Sequence, residues 1–367
     1  MADPVSRLLA DELQQLTGRS AVAGPLLVID DPALANHLRQ EGRDVLASCD
    51  DLRDERSLTL AGVDCLDQST LAAAQVVLLR LPKSLGMLQD YAERIAAWAP
   101  PDVRVLAGGR EKHLTRSMND VLAGCFGSVR ASLGRQKSRV LHAEEPLAVE
   151  RSWPRRTELD EPALTVVSHA GVFAAGRLDG GTRLLLEALE AGLEPAERHL
   201  SLPTLPAAPG RESNPDSTQP SRSNRSQLRA VDLGCGSGIL ACTLARAGHT
   251  VLAVDVSRAA VASTRDTAAA NQLAIEVERA DGLAGHPAGS VDLVVCNPPF
   301  HRGTTKDSSP GFDLLATAIP TLAPGAEVWT VFNSHLPYLP FLRRQLGATR
   351  VVVRDRHYTV TRSVLAR

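Results

Sequence analysis

The residues best suited to chemistry are Asn297-Pro298-Pro299-Phe300. An Asn side-chain oxygen accepts hydrogen bonds from an amine, and an aromatic ring stacks on a flat base. Two consecutive prolines stiffen the backbone and cannot continue a strand ladder or a helix interior. The group therefore reads as a clamp for a planar exocyclic amine; a plain turn capped by Asn297 is the alternative. Upstream, three acids stand in or just after apolar runs: Asp232, Asp255 and Asp281.

The elements that must hold these groups follow from the pattern. Val291-Asp292-Leu293-Val294-Val295-Cys296 is apolar enough for a buried parallel strand, which puts Asn297 at its carboxyl end. Open α/β sheets place their ligands there. Leu228 to Leu233 reads as a strand running into Gly234-Cys235-Gly236-Ser237-Gly238, followed by a helix from Ile239 to about Ala247. Glycines permit a sharp turn and the close approach of a ligand. A lone glycine loop is shared by nicotinamide and flavin enzymes. Asp255, 23 residues after Asp232, ends the next strand and suits two ribose hydroxyls. After a helix over 258–271 and a strand over 275–280, Asp281 is placed to accept from an adenine amine. Four strand ends thus carry polar groups in succession.

Composition sets the frame. The chain has 367 residues, 44% hydrophobic and 22% charged, enough for two domains with sizeable cores. A net charge of −2 argues against nucleic-acid binding through global charge and leaves local patches open. The six cysteines form no CxxC pair and no His cluster has metal-ligand spacing, so reduced thiols and no metal are expected. No signal-like core or apolar run of membrane-spanning length is visible, which predicts a cytoplasmic protein.

The first half also alternates strands and helices. Helices are expected over 1–20, 32–42 and 85–98, and strands over 26–30, 44–48, 74–80 and 103–107. Where cofactor glycines should stand, the chain reads Ile29-Asp30-Asp31-Pro32-Ala33, so the cofactor is expected on the second half only. Removal of residues 1–150 is accordingly expected to leave cofactor affinity largely intact. From Val103 to Ala143, eight basic residues, Arg110, Lys112 and Arg116 among them, face only two acids. RNA phosphate contact is one reading and a solvated face the other. Residues 144–165 are taken as a connector, and 201–227 as a disordered Pro/Ser/Asn/Arg insertion. Asp179 or Thr182 is placed to cap a helix opening at Leu184-Leu185-Leu186.

These residues together resemble class I S-adenosylmethionine-dependent methyltransferases, and within them the RsmC/RlmG family of ribosomal RNA guanine-N2 methyltransferases. The matching pieces are Gly171-Val172-Phe173, Leu178-Asp179 through Leu186, Val231 to Gly238, Asn297-Pro298-Pro299-Phe300-His301, and Phe332-Asn333-Ser334-His335-Leu336-Pro337-Tyr338. Leu81-Pro82-Lys83 and the Arg110–Arg116 stretch look like that family's degenerate N-terminal domain. The 201–227 insertion is longer than the family's connection there.

The resemblance implies an α/β fold of two doubly wound, Rossmann-like methyltransferase domains. A degenerate one over 1–150 would bind RNA, and a catalytic one over 151–367 would have a seven-stranded sheet of order 3-2-1-4-5-7-6. It implies S-adenosyl-L-methionine as cofactor, held by Asp232, Gly234, Gly236, Gly238, Asp255, Asp281, Asn297, Phe173 and Asp179. Catalysis would rest on Asn297, Pro298 and Phe300. Substrate would be held by Phe300, His301, Arg110, Lys112 and Arg116. The expected partner is ribosomal RNA or a ribosomal subunit, with no membrane and no metal; a monomer is compatible with the sequence. The expected reaction is methylation of guanine N2 in small-subunit ribosomal RNA. A large-subunit target, a protein-glutamine or adenine-N6 methyltransferase, and a non-catalytic RNA-binding assembly factor are the alternatives. Phe300 followed by His301 favours guanine over the glutamine and adenine enzymes, which typically carry Tyr there.

Overall fold

The computed structural model describes residues 3–18, 24–59, 62, 66–192, 227–299 and 309–365. Phe300 and His301 lie outside the described residues, as does the 201–227 insertion apart from Gln227.

The first half is built on a six-stranded sheet. Its strands are β1 (Leu26–Ile29), β2 (Val45–Ser48), β3 (Val76–Arg80), β4 (Arg104–Arg110), β5 (Phe126–Ala131) and β6 (Ser138–Pro146). Their order is β2-β1-β3-β4-β6-β5. The first four are parallel, and β6 and β5 add antiparallel to the edge. β1 and β3 are buried on both faces, as near-continuous Leu/Val/Ile runs require. Where the second half carries its glycine loop, the turn after β1 is tied down by side chains of this half. Asp31, 2% exposed, accepts from Leu34 N, Ser6 Oγ and Arg80 Nη2. The basic stretch of 103–143 runs through β4, a short turn, the Arg116–Ala123 helix and the β5–β6 hairpin, and sequence patterning did not resolve the hairpin.

The second half carries β9 (Arg229–Leu233), β10 (Thr250–Asp255), β11 (Glu276–Arg279), β12 (Val291–Cys296), β13 (Leu322–Asn333), β14 (Gly347–Arg354) and β15 (Tyr358–Leu365). Numbered within this sheet, the order β11-β10-β9-β12-β13-β15-β14 is the expected 3-2-1-4-5-7-6. β15 alone runs against the direction of the other six strands. The reversal puts Tyr358, at the start of β15, beside Asn333 at the end of β13.

Residues 144–165 are not a simple connector. β6 continues to Pro146, and β7 (Arg155–Leu159) pairs with β8 (Leu164–Ser168) in a two-stranded ribbon. On its other edge β8 lies along the Arg258–Ala270 helix and bonds to side chains of that helix and its C-cap. Thr165 N donates to Asn271 Oδ1 (3.1 Å), Val167 N to Thr267 Oγ1 (3.0 Å) and His169 N to Ser263 Oγ (2.8 Å). The match is geometric: two strand residues advance about 6.6 Å and four helix residues about 6 Å. A row of polar residues at i, i+4 and i+8 therefore satisfies alternate backbone groups of a strand, which would otherwise be buried unpaired. None of the described helices is long and apolar enough to cross a membrane.

Candidate active site

The carboxyl ends of β9, β10, β11 and β12 bring the four polar strand ends to one edge of the sheet. The glycine loop follows β9. Gly238 has φ +80°, and a Cβ there would stand 3.0 Å from Thr264 Cα, so only glycine fits. Gly236 N donates to Asp255 Oδ2 (3.1 Å), while Ser257 N donates to Asp255 Oδ1 (2.9 Å). Burial raises the Asp255 carboxyl above its ordinary range, and those two amides pull the other way. Asp232 is fully buried. Its Oδ2 accepts from Ala241 N (2.9 Å), while its Oδ1 has no partner. Burial pushes its pKa up to about 7, against the Ala241 amide and with help from the Asp255 charge. A buried carboxylate oxygen with no partner beside a backbone cradle of glycines fits a cationic ligand.

Asn297 sits at the end of β12. Its Nδ2 donates to Thr182 Oγ1 (3.0 Å) and lies 3.5 Å from Asp179 Oδ1. Both partners belong to the N-terminal turn of the Gly180–Gly192 helix, which Asp179 caps by accepting from Gly181 N (3.0 Å) and Thr182 N (3.3 Å). A carboxylate can only accept, so the amide is turned with its nitrogen toward Asp179 and Thr182. The Asn297 oxygen is left buried and unpartnered. Gly180 and Gly181 let the Tyr358 ring lie against this turn, where a Cβ would meet it at 3.1–3.2 Å.

Below the turn, buried Pro298 and the Tyr338 ring both lie against Gly311, and Tyr338 packs on Phe312 at 4.7 Å and on Phe332 at 4.9 Å between centroids. A Cβ on Gly311 would fall 2.0 Å from the Tyr338 hydroxyl and 3.0 Å from Pro298 Cβ, so glycine is required for this close packing. Opposite, residues 171–176 cross the glycine loop, with Val172 Cγ1 3.9 Å from the Cβ that Gly236 lacks. Ala174 and Ala175 both have positive φ, +60° and +49°. Such strain in non-glycine residues concentrates at functional sites. Phe173 is 67% exposed, so it is no core aromatic.

The structure thus gathers Asp232, Gly234, Gly236, Gly238, Asp255, Asp179, Asn297 and Pro298 around one crevice, with Asp281 just past the end of β11. It does not join Arg110, Lys112 and Arg116 to that crevice. They lie at the end of β4, in the following turn and at the start of the Arg116–Ala123 helix. Among the described residues no hydrogen bond or ion pair links them to Asn297. Thr182 as the partner of Asn297 escaped the sequence reading. Its only signal was a hydroxyl three residues after a helix-capping Asp. Five described cysteines are free and buried, and no described group of His, Cys, Asp and Glu could hold a metal ion.

Two family models match the chain: the RLMG N-terminal domain over residues 8–146 and the methyltransferase small domain over 220–362. Ribosomal RNA large subunit methyltransferase G of Streptomyces coelicolor is 37% identical over 79% of this chain and 71% of its own length. Its counterpart in Streptomyces avermitilis is 33% identical over 98% of this chain and 90% of its own. The 16S rRNA N2 G1207 methyltransferase RsmC of T. thermophilus, solved with AdoMet and guanosine, shares the fold at TM-score 0.76 and 22% identity, over 99% of this chain and 92% of that one. With relatives of that name 33–37% identical over most of its length, the chain is a member of the ribosomal RNA large subunit methyltransferase G family, a class I methyltransferase whose cofactor is S-adenosylmethionine.

Proposed function

We propose that the protein methylates the exocyclic N2 of a guanine in ribosomal RNA, and that the target lies in the large subunit. The small-subunit target expected from the sequence yields to the alternative, because the relatives at 33–37% identity carry large-subunit names. The small-subunit enzyme resembles the chain only at the level of fold. The observation that carries the reaction is the buried, unpartnered Asn297 oxygen. It is an acceptor already desolvated and aimed by Thr182 and Asp179, waiting for an N–H donor.

Bound S-adenosylmethionine supplies an electrophilic methyl group on its sulfonium. Asn297 Oδ1 and the Pro298 carbonyl accept the two N–H bonds of the amine. That concentrates electron density on a nitrogen whose lone pair is otherwise drawn into the ring, and aims it. Asp255 holds the ribose, Asp281 the adenine amine, and the unpartnered Asp232 oxygen faces the cationic end. Phe173 and Asp179 complete the cofactor site, and Phe300 with His301 receives the base. The proton is lost to solvent after transfer, so no strong base is needed. The rate enhancement comes from orientation and from polar groups fixed in advance. The guanine must be unpaired or flipped out, since pairing occupies N2. Arg110, Lys112 and Arg116 of the first half, with the arginines of β14, hold RNA phosphates.

The test is mass mapping of methylated guanines in both ribosomal RNAs, from cells with and without the protein. It is paired with methylation in vitro of deproteinised RNA and of assembled subunits. Loss of one N2-methylguanine in the large-subunit RNA is expected. Loss only in the small-subunit RNA, or none, would overturn the assignment.

A further inference from the structure

The two halves meet at the cofactor end of the second sheet. The loop after β2 lies across the ends of β10 and β11. Leu52 N donates to Val256 O (3.0 Å), Arg258 N to Asp50 O (3.0 Å) and Ala259 N to Asp50 Oδ1 (3.0 Å). Arg279 Nη2 donates to the carbonyls of Cys49 (3.1 Å) and Asp50 (2.9 Å). Arg279 Nη1 reaches Glu55 Oε2 at 2.6 Å, and Arg258 pairs with the same carboxylate. Every one of these second-half residues lies within four positions of Asp255 or two of Asp281. The seam is therefore built on the backbone that presents the two acids assigned to ribose and adenine.

One side chain of the first half goes further. Arg53 is gripped from behind by Asp51, with Nε on Oδ1 (2.9 Å) and Nη2 on Oδ2 (2.5 Å). Such a fork-to-fork pair fixes the plane of the guanidinium. Its remaining nitrogen, Nη1, stands 3.9 Å from Asp281 Oδ1. The Asp281 side chain is 41% exposed, and no second described ion pair or hydrogen bond holds it. A carboxylate that turns freely is a poor acceptor for one fixed amine. Drawn toward a fixed cation through one oxygen, it presents the other in a set direction.

We propose that Arg53, a residue of the first half, is a positioning residue of the cofactor site. It orients Asp281 toward the adenine amine, so the second half attains full cofactor affinity and base selectivity only when the first half is docked. The inference rests on the reading of Asp281 as the adenine acceptor. It argues against the expectation that removal of residues 1–150 leaves cofactor binding intact.

The test is calorimetric titration of the full chain with S-adenosylhomocysteine and with S-inosylhomocysteine, in which an oxo group replaces the amine. A held carboxylate accepts from the amine and repels the oxo group; a free one can turn away from either. The wild-type protein should prefer the adenosyl ligand. Arg53→Ala should reduce that preference by about tenfold, equal to about 1.4 kcal/mol, and Asp281→Asn should reduce it at least as much. Glu55→Gln loosens the seam without touching Asp281. Because the seam carries Arg53, this substitution should also lower the preference, by less than Arg53→Ala does; an unchanged preference would mean that docking of the first half does not set base selectivity, and the inference would fail. If Asp281→Asn abolishes the preference while Arg53→Ala keeps it, Arg53 is no more than a surface residue of the seam and the inference fails. If Asp281→Asn itself keeps the preference, the adenine assignment fails and the inference falls with it.

Discussion

Asn297 Nδ2 donates to Thr182 Oγ1 at 3.0 Å across 115 residues of sequence, and with the acceptor-only Asp179 carboxylate beside it this bond sets which end of the amide faces away from the helix turn. Asp179, the cap of the same helix turn, reinforces it at 3.5 Å. The acceptor oxygen is consequently held in place and free of any partner.

Asn297→Ala is therefore expected to lower turnover by about 10²–10³, the range for losing one polar group fixed in advance of the transition state. Cofactor affinity should change little. Single-turnover methylation at saturating cofactor reads the first quantity and calorimetry the second. A folded Asn297→Ala protein with wild-type rate would move the chemistry elsewhere.

Thr182→Val removes the hydrogen-bond partner of Asn297 while keeping the side-chain shape. The amide is then free to turn its nitrogen toward the substrate, where two donors would meet. We expect turnover to fall by about tenfold, equivalent to the net worth of roughly one hydrogen bond, with KM for RNA nearly unchanged. Thr182→Ser keeps the hydroxyl and should retain most of the rate. A fall in Thr182→Val that appears only in KM would mean the residue serves binding alone.

Asp232 titrates near pH 7 when folded, against 3.8 in the unfolded chain, because burial penalises its charge. A folded pKa raised above the unfolded one contributes stability that is full below the lower value and lost as pH rises through the upper one. Asp232→Asn abolishes this loss. Relative to the wild type, the ligand-free variant should gain melting temperature at pH 8 compared with pH 5. Parallel thermal melts across that range check the sign. An equal difference at both pH values would mean that the carboxyl does not titrate between them.

Thr267 is fully buried and bonds both the amide and the carbonyl of Val167. Thr267→Val strands these backbone groups, so a stability loss of about 1–3 kcal/mol is expected. Because β8 leads into the 171–176 strap over the glycine loop, cofactor affinity should fall as well. Urea denaturation with and without S-adenosylhomocysteine measures both; unchanged affinity would disconnect the ribbon from the site.

RNA binding should weaken as salt rises, because phosphate contacts release counterions. Lys112→Ala and Arg116→Ala should each weaken binding across unrelated RNA sequences and reduce the log–log salt slope by about one. Filter binding across a salt series checks this. Slopes equal to the wild type would make both residues ordinary solvated charges.

By itself the sequence marked alternating strands and helices in both halves and the four polar strand ends, while the order of the second sheet followed from the family resemblance. The reason is local. Runs such as Val291-Asp292-Leu293-Val294-Val295-Cys296 can be satisfied only as buried strands, and a parallel strand followed by glycines or prolines sends its next polar residue to the ligand edge. The β7–β8 ribbon was not legible, because alternate backbone amides along β8 bond to Ser263, Thr267 and Asn271, side chains about a hundred residues away. The β5–β6 hairpin was masked by arginines that read as surface charge. Only the tertiary structure decided which end of Asn297 faces outward, since that depends on Thr182 and Asp179 arriving from another helix. It alone brought Arg53 to Asp281 as well, across a seam whose partners share no pattern in sequence and meet only when the loop after β2 docks on the carboxyl ends of β10 and β11.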